Sequence, residues 1–304
     1  MAAHVLTLIA APDGAAPIGA AAERAIEALR RLGAHAGRPD WLAPGCACDI
    51  PFDDLVPDQA DAAARLALGD WSPAPPIDLI AQPAAGRRKR LLVADMESTI
   101  IANEMLDELA DLLGLREHVA EITRRAMNDE IDFAAALRER VALLKDMPEG
   151  ALAEARARIR IMPGARALIA TMRAHGAVTI LVSGGFAQFA RPIAAELGFD
   201  RLASNELVIE GGRIAGRVRE PILGRDAKLA TLKQVAADRG VPLAETLAVG
   251  DGANDLAMIE AAGLGIAFHA RPAVAARVRN RIDHGDLTAL LYAQGYRLDE
   301  IVKG

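Results

Sequence analysis

Four short apolar runs, each ending in a polar or glycine-rich turn, constrain the chain beyond residue 90: RLLVAD (90–95), AVTILVSGG (177–185), TLAVGDGAND (246–255) and GLGIAFHA (263–270). Unbroken Val, Ile and Leu, without alternation, is the signature of parallel strands buried on both faces. Amphipathic helical patterns separate the runs, among them 165–175 stopped by Gly176 and 226–239 stopped by Gly240. The expected fold is α/β, a doubly wound parallel sheet. NELVIEGGRIAGRV adds a β-hairpin turning at Gly211-Gly212. Between the first and second runs lie about 80 residues, far more than one crossover helix needs. Within them 103–160 is charged, amphipathic and free of strand signals, and is expected to be an inserted helical cap.

The first 85 residues read differently. HVLTLIA is a short strand, and IGAAAERAIEALRRLGA has helical spacing with Ile26 and Leu29 on one face and Gly33 as a stop. WLAPGCACDIPF is irregular or extended, PDQADAAARLALGD helical, and IDLIAQP another strand. This order predicts a small ferredoxin-like α/β unit over 1–85, with a boundary near QPAAGRRKR and no catalytic constellation before residue 86.

Composition excludes several classes. A net charge of −6 and a pI near 5.6 argue against a nucleic-acid surface, and Arg87-Arg88-Lys89-Arg90 reads as the solvated flank of a strand. No apolar run reaches the roughly 18–20 residues of a membrane span. The N-terminus lacks the cationic lead of a signal peptide. Cys46 and Cys48 alone cannot close a zinc site and are poorly spaced for a disulfide, so they read as idle thiols. A cytoplasmic chain is expected.

In an open α/β sheet, ligands bind beyond the carboxyl ends of the strands. The residues ending these runs are Asp95, Glu97, Ser183 and Asp251, with Asn254 and Asp255 close behind. Carboxylates delivered to one edge from distant parts of the chain repel each other unless a cation joins them. All-oxygen ligation of this kind suits Mg²⁺ with phosphate. Lys228, near the start of a helix, supplies a fixed positive charge for a transferring phosphoryl group.

The ordered set Asp95-x-Glu97-Ser98-Thr99, Ser183-Gly184-Gly185, Lys228 and Gly250-Asp251-Gly252-x-Asn254-Asp255 resembles the four motifs of the haloacid dehalogenase superfamily of phosphohydrolases. The likeness runs from about 90 to 295 and is closest to members acting on O-phospho-L-serine. It implies Asp95 as a nucleophile forming an aspartyl-phosphate, Glu97 as general acid and base, and Mg²⁺ held by Asp95, the Glu97 backbone carbonyl and Asp251. It further implies that Ser183 and the Gly184 amide hold phosphate, that Lys228 steadies Asp95, that Asn254 contacts phosphate or substrate, and that Asp255 orients Lys228 or metal-bound water. For the substrate it implies Glu104 on the ammonium, Arg140 on the carboxylate, and Met127 and Phe133 as apolar walls. Asp129 stands where the family usually has Gly. The N-terminal unit resembles, loosely, the ACT-like regulatory domain of some members, which implies a regulatory or dimerising role and a homodimer.

Glu97 departs from the family's usual Asp. The carboxyl group and its reference pKa are nearly unchanged, about 4.3 against 3.9. The extra methylene sets the head on the order of 1 Å further out, a misplacement that can cost about 10²-fold in rate. Three readings follow: a pocket adjusted to Glu97, a slow enzyme, or a shift toward phosphoryl transfer or binding. The intact remainder of the set favours the first. Competing functions are a phosphatase or phosphotransferase on another small phosphomonoester, and an amino-acid-sensing regulator with a vestigial phosphatase half.

Overall fold

Two sheets of opposite character divide the chain. The computed structural model describes residues 2–12, 16–71, 73–127 and 130–304, with Met127 through its backbone only. Asp129 and the Met127 side chain therefore lie outside the described residues.

The first sheet is antiparallel. Its elements follow as β1 (His4–Ala10), α1 (Ile18–Arg31), β2 (His35–Ala36), β3 (Asp40–Ala43), β4 (Ala47–Asp53), α2 (Pro57–Gly69) and β5 (Ile77–Pro83). The strand order is β2-β4-β1-β5, with β3 also on β4. The segment read as irregular or extended thus forms two paired strands, β3 and β4. One face (Leu6, Leu8, Ile50, Phe52, Leu79) packs on α1 and α2. The other faces the rest of the protein, and period-2 alternation places Thr7, Asp49, Asp78 and Gln82 on it, all buried. Each has a partner: Thr7 Oγ1 donates to Asp49, Gln82 Nε2 donates to Ala293 O, and Asp78 accepts from the amides of Asp283, His284 and Gly285. Arg87 closes the set by pairing with Asp49.

The second part runs β6 (Leu91–Asp95), α3 (Met105–Leu112), α4 (Arg116–Met127), α5 (Phe133–Ala142), α6 (Gly150–Ala157), α7 (Ala165–Ala174), β7 (Val178–Phe186), α8 (Ala187–Leu197), β8 (Arg201–Asn205), β9 (Leu207–Glu210), β10 (Arg213–Val218), α9 (Arg225–Asp238), β11 (Thr246–Gly250), α10 (Leu256–Ala261), β12 (Leu264–Phe268), α11 (Pro272–Ala275), β13 (Arg281–Ile282) and α12 (Ala289–Ala293). Six strands form a sheet in the order β13-β12-β11-β6-β7-β8, every pair parallel. The four apolar runs are its centre, while β8 and β13 extend it. β9 and β10 form the hairpin, and Gly211 and Gly212 at its turn have φ of 56° and 74°, which side chains resist.

The chain leaves the sheet after β6 and returns before α7 along two paired segments. Ala102 N donates to Arg160 O, Met162 N donates to Ile100 O, and buried Asn103 takes the Arg160 amide. Helices α3–α6 lie beyond this neck. β6 has β7 on one side and β11 on the other, so the order in which strands are added reverses there. Such a switch point opens a crevice at the strand ends.

Candidate active site

Register decides what meets in that crevice. Asp95 pairs with Val182, so Ser183 stands one residue beyond; Ala94 pairs with Val249, so Asp251 stands just past the end of β11. From α9, Lys228 reaches into the gap. Its Nζ lies 2.6 Å from Asp95 Oδ1 and 2.6 Å from Asp255 Oδ1. The other Asp255 oxygen, Oδ2, accepts from the Gly252 amide at 3.0 Å. All three side chains are almost wholly buried.

One ammonium does not balance this cluster. Asp95, Asp251 and Asp255 bring oxygens within 4.8 Å of one another. Burial, reinforced by the charges of Asp255 and Asp251, pushes Asp95 up to about 8 against the pull of Lys228. Burial and Asp255 push Asp251 up to about 6. Burial alone would lower Lys228, but its two carboxylates outweigh it and hold the ammonium above its ordinary value. Excess buried negative charge on hard oxygens fits a divalent cation. With both Asp255 oxygens engaged, Asp95 and Asp251 are the residues placed to hold one.

Glu97 does not project idly. Its Oε1 accepts from the Met105 amide at 2.8 Å, at the first turn of α3, so the extra methylene lets it reach the cap. The carboxylate also lies against Gly185, where a Cβ would come within 2.7–3.0 Å of it. Burial first, then the Glu104 charge, raise Glu97 to about 8, so its surroundings favour the protonated form that proton donation requires. Gly185→Ala is therefore expected to displace Glu97 and cut turnover on the order of 10²-fold. The shorter acid in Gly185→Ala/Glu97→Asp is expected to recover part of it. Steady-state kinetics of the pair checks this; equal loss in single and double variants would show that Gly185 serves something other than room for Glu97.

Ser183 Oγ accepts from the Gly185 amide at 2.9 Å, and so shapes its own loop. The Gly184 carbonyl is held by Asn205 Nδ2 at 2.8 Å, and Asn205 Oδ1 takes the Leu223 amide. Asn205 was not among the residues singled out from the sequence; its only signal there is an Asn ending a half-exposed strand. Phe133 of α5 lies over Gly184 and Gly224, with ring atoms 3.2 and 3.6 Å from where their Cβ atoms would sit. Arg140, from the same helix, is partly buried, and burial lowers it against the charges of Glu97, Asp107 and Glu104. Its Nη1 lies 3.5 Å from Thr123 Oγ1. Glu104 sits at the start of α3 and receives the Ser98 hydroxyl at 2.7 Å. Asn254 packs its Oδ1 beside Gly252, partly exposed. Arg271 also reaches the site, its amide donating to Asp251 O at 3.3 Å.

The profile of the haloacid dehalogenase-like hydrolase family matches residues 92–260. A phosphoserine phosphatase of Streptococcus thermophilus is 42% identical over 215 residues, 71% of this chain and 98% of that protein. A phosphoserine phosphatase of Mycobacterium tuberculosis is 43% identical over 217 residues, 71% of this chain but 53% of that longer protein, of which the chain thus spans about half. Among solved structures, a HAD family hydrolase of Salmonella enterica serovar Typhi aligns over 95% of this chain and 97% of its own, with a TM-score of 0.82 and 27% identity. A phosphoserine phosphatase solved as a phospho-aspartyl intermediate analogue aligns over 67% of this chain and 98% of its own, with a TM-score of 0.63 and 38% identity. The shared profile and the parallel sheet with its acidic edge agree: the chain belongs to the haloacid dehalogenase-like hydrolases.

Proposed function

We propose that the protein is a Mg²⁺-dependent phosphomonoesterase that hydrolyses O-phospho-L-serine to L-serine and phosphate, the final step of serine biosynthesis. The observation that carries this reading is Lys228 bridging Asp95 and Asp255 at 2.6 Å each, with Glu97 two residues along the same strand end. The relatives named phosphoserine phosphatase support the substrate.

Asp95 attacks phosphorus in line, the bond from phosphorus to the seryl oxygen breaks, and Glu97 protonates that oxygen. Serine leaves, and an aspartyl-phosphate remains on Asp95. Glu97, now a carboxylate, takes a proton from water as the water oxygen attacks phosphorus, releasing phosphate and restoring Asp95. Mg²⁺, held by Asp95, the Glu97 backbone carbonyl and Asp251, would neutralise charge on the phosphoryl oxygens. Lys228 holds the Asp95 carboxylate in place, and Asp255 fixes Lys228. Ser183, the Gly184 amide and Asn254 receive the phosphate, with Phe133 closing the pocket. Glu104 faces the substrate ammonium and Arg140 its carboxylate, where a guanidinium fork suits two oxygens.

In this reading 1–85 is a small ACT-like unit and 86–304 the phosphatase, with its cap inserted at about 103–160. Both faces of the first sheet are covered, so a dimer made through this unit would use a strand edge or its helices. No helix of the described residues is long and apolar enough to cross a membrane. Cys46 and Cys48 are free thiols, which supports a cytoplasmic setting.

Phosphate release from a panel of phosphomonoesters, with Mg²⁺ and with chelator, tests the proposal. O-Phosphoserine is expected to be preferred, and Arg140→Ala to raise its KM by about 10- to 100-fold, the cost of losing a charge-assisted pair. An unchanged KM in Arg140→Ala would refute the substrate assignment, and absence of turnover on every ester would refute the enzyme.

A further inference from the structure

Ser98 occupies the turn between β6 and the cap with a φ of 55°, a left-handed conformation that side chains other than Asn and Asp seldom adopt. Its hydroxyl donates to Glu104 Oε1 at 2.7 Å. Glu104 stands at the N-cap of α3, yet its side chain does not cap that helix. Glu97 has taken the Met105 amide instead. Among the described residues Ser98 is the one side chain hydrogen-bonded to the Glu104 carboxylate. Glu104 is half-buried, and its charge acts on Glu97, Asp251 and Arg140, so it stands close to the charged groups of the site.

We propose that Ser98 is a positioning residue that aims Glu104 at the ammonium of an amino-acid phosphomonoester, and so sets how strongly the site prefers esters that carry one. A carboxylate on a side chain with three rotatable bonds loses affinity for a point charge if it wanders; one donated hydrogen bond fixes the carboxylate plane and leaves Oε2 for the substrate. This inference rests on the proposed phosphoserine reading.

The test compares kcat and KM of wild type, Ser98→Gly and Ser98→Ala on O-phosphoserine and on O-phospho-3-hydroxypropanoate, which keeps phosphate and carboxylate and lacks the ammonium. Wild type is expected to prefer phosphoserine. Both variants are expected to lower the ratio of kcat/KM for the two esters by about tenfold, through the KM for phosphoserine. Ala keeps the Cβ and the strained φ of Ser, whereas Gly relieves it, so a loss confined to Gly would assign the effect to the backbone and overturn the proposal. An unchanged ratio in Ser98→Gly, with wild type active on phosphoserine, would also overturn it. Wild type inert toward phosphoserine would instead refute the underlying reading, and this one with it.

Discussion

Asp95→Asn is expected to abolish phosphate release, by on the order of 10⁴-fold or more, while leaving the protein folded and, without metal, more stable than wild type at pH 8. The first part follows from losing the nucleophile of the proposed mechanism. The second follows from the sign of the shift. Asp95 is raised from an ordinary carboxylate value to about 8, so its folded form prefers the proton. Stability from this group is intact below about pH 4 and is lost as pH climbs toward 8, where the unfolded chain is ionised and the folded site resists it. Asp251, raised to about 6, adds to the loss over the lower part of that window. Asn carries no charge, and Lys228 keeps Asp255 as a partner. Thermal unfolding in chelator should therefore show wild type losing Tm between pH 5 and pH 8, with a smaller loss in Asp95→Asn. Divalent cation should raise the wild-type Tm at pH 8 and raise that of the variant less. A variant that retains turnover, or a wild type whose metal-free Tm rises over this range, would contradict the account of the site.

Lys228→Met is expected to remove activity and stability together. The ammonium is buried and sits 2.6 Å from each of two buried carboxylates. Removing it leaves Asp95 and Asp255 uncompensated, a defect worth about 3–5 kcal/mol for a broken buried pair. For a chain of this size that corresponds to a fall in Tm on the order of 10 °C. Divalent cation should restore part of the Tm, because it supplies charge, but not turnover, because nothing then fixes Asp95 toward Lys228's side of the cleft. Calorimetry with and without Mg²⁺, beside a phosphate-release assay, separates the two. A Tm within a degree of wild type would mean that the pair is not the electrostatic keystone of the cleft.

Much of this was legible before any coordinates. Buried parallel strands announce themselves by uninterrupted aliphatic runs, and although one acid at a strand end is more often a helix cap, Asp95, Ser183 and Asp251 together at one sheet edge point to a site. β8 did not, because Arg201–Asn205 is a half-exposed edge strand whose polar residues merge with the hairpin that follows. β13 is two residues long, below any periodic signal. The placement of Glu97 was not legible either. Spacing alone puts its head about 1 Å too far out; the structure spends that length on the Met105 amide and accommodates the head against Gly185, contacts between segments 8 and 88 positions away. The alternation in IDLIAQP was visible, yet what Asp78 and Gln82 would face was not, since their partners are main-chain groups more than 200 positions later.

That last contact is lopsided. Asp78 grips the amides of Asp283, His284 and Gly285, the last two at 3.2 and 2.7 Å, and a peptide N–H is the same whatever side chain accompanies it. At this one contact the two halves meet through a side chain on one partner and bare backbone on the other, unlike the side-chain pair of Arg297 and Asp40 elsewhere along the same joint. Substitution at 283 or 284 leaves the amides in place, whereas Asp78→Ala strands the buried Gly285 donor and two part-buried ones at once. Related chains that keep this joint should accordingly vary freely on the backbone side of it and hold a short acceptor at 78, with no compensating exchange between the two. At this contact, drift on the backbone side need not be answered at 78.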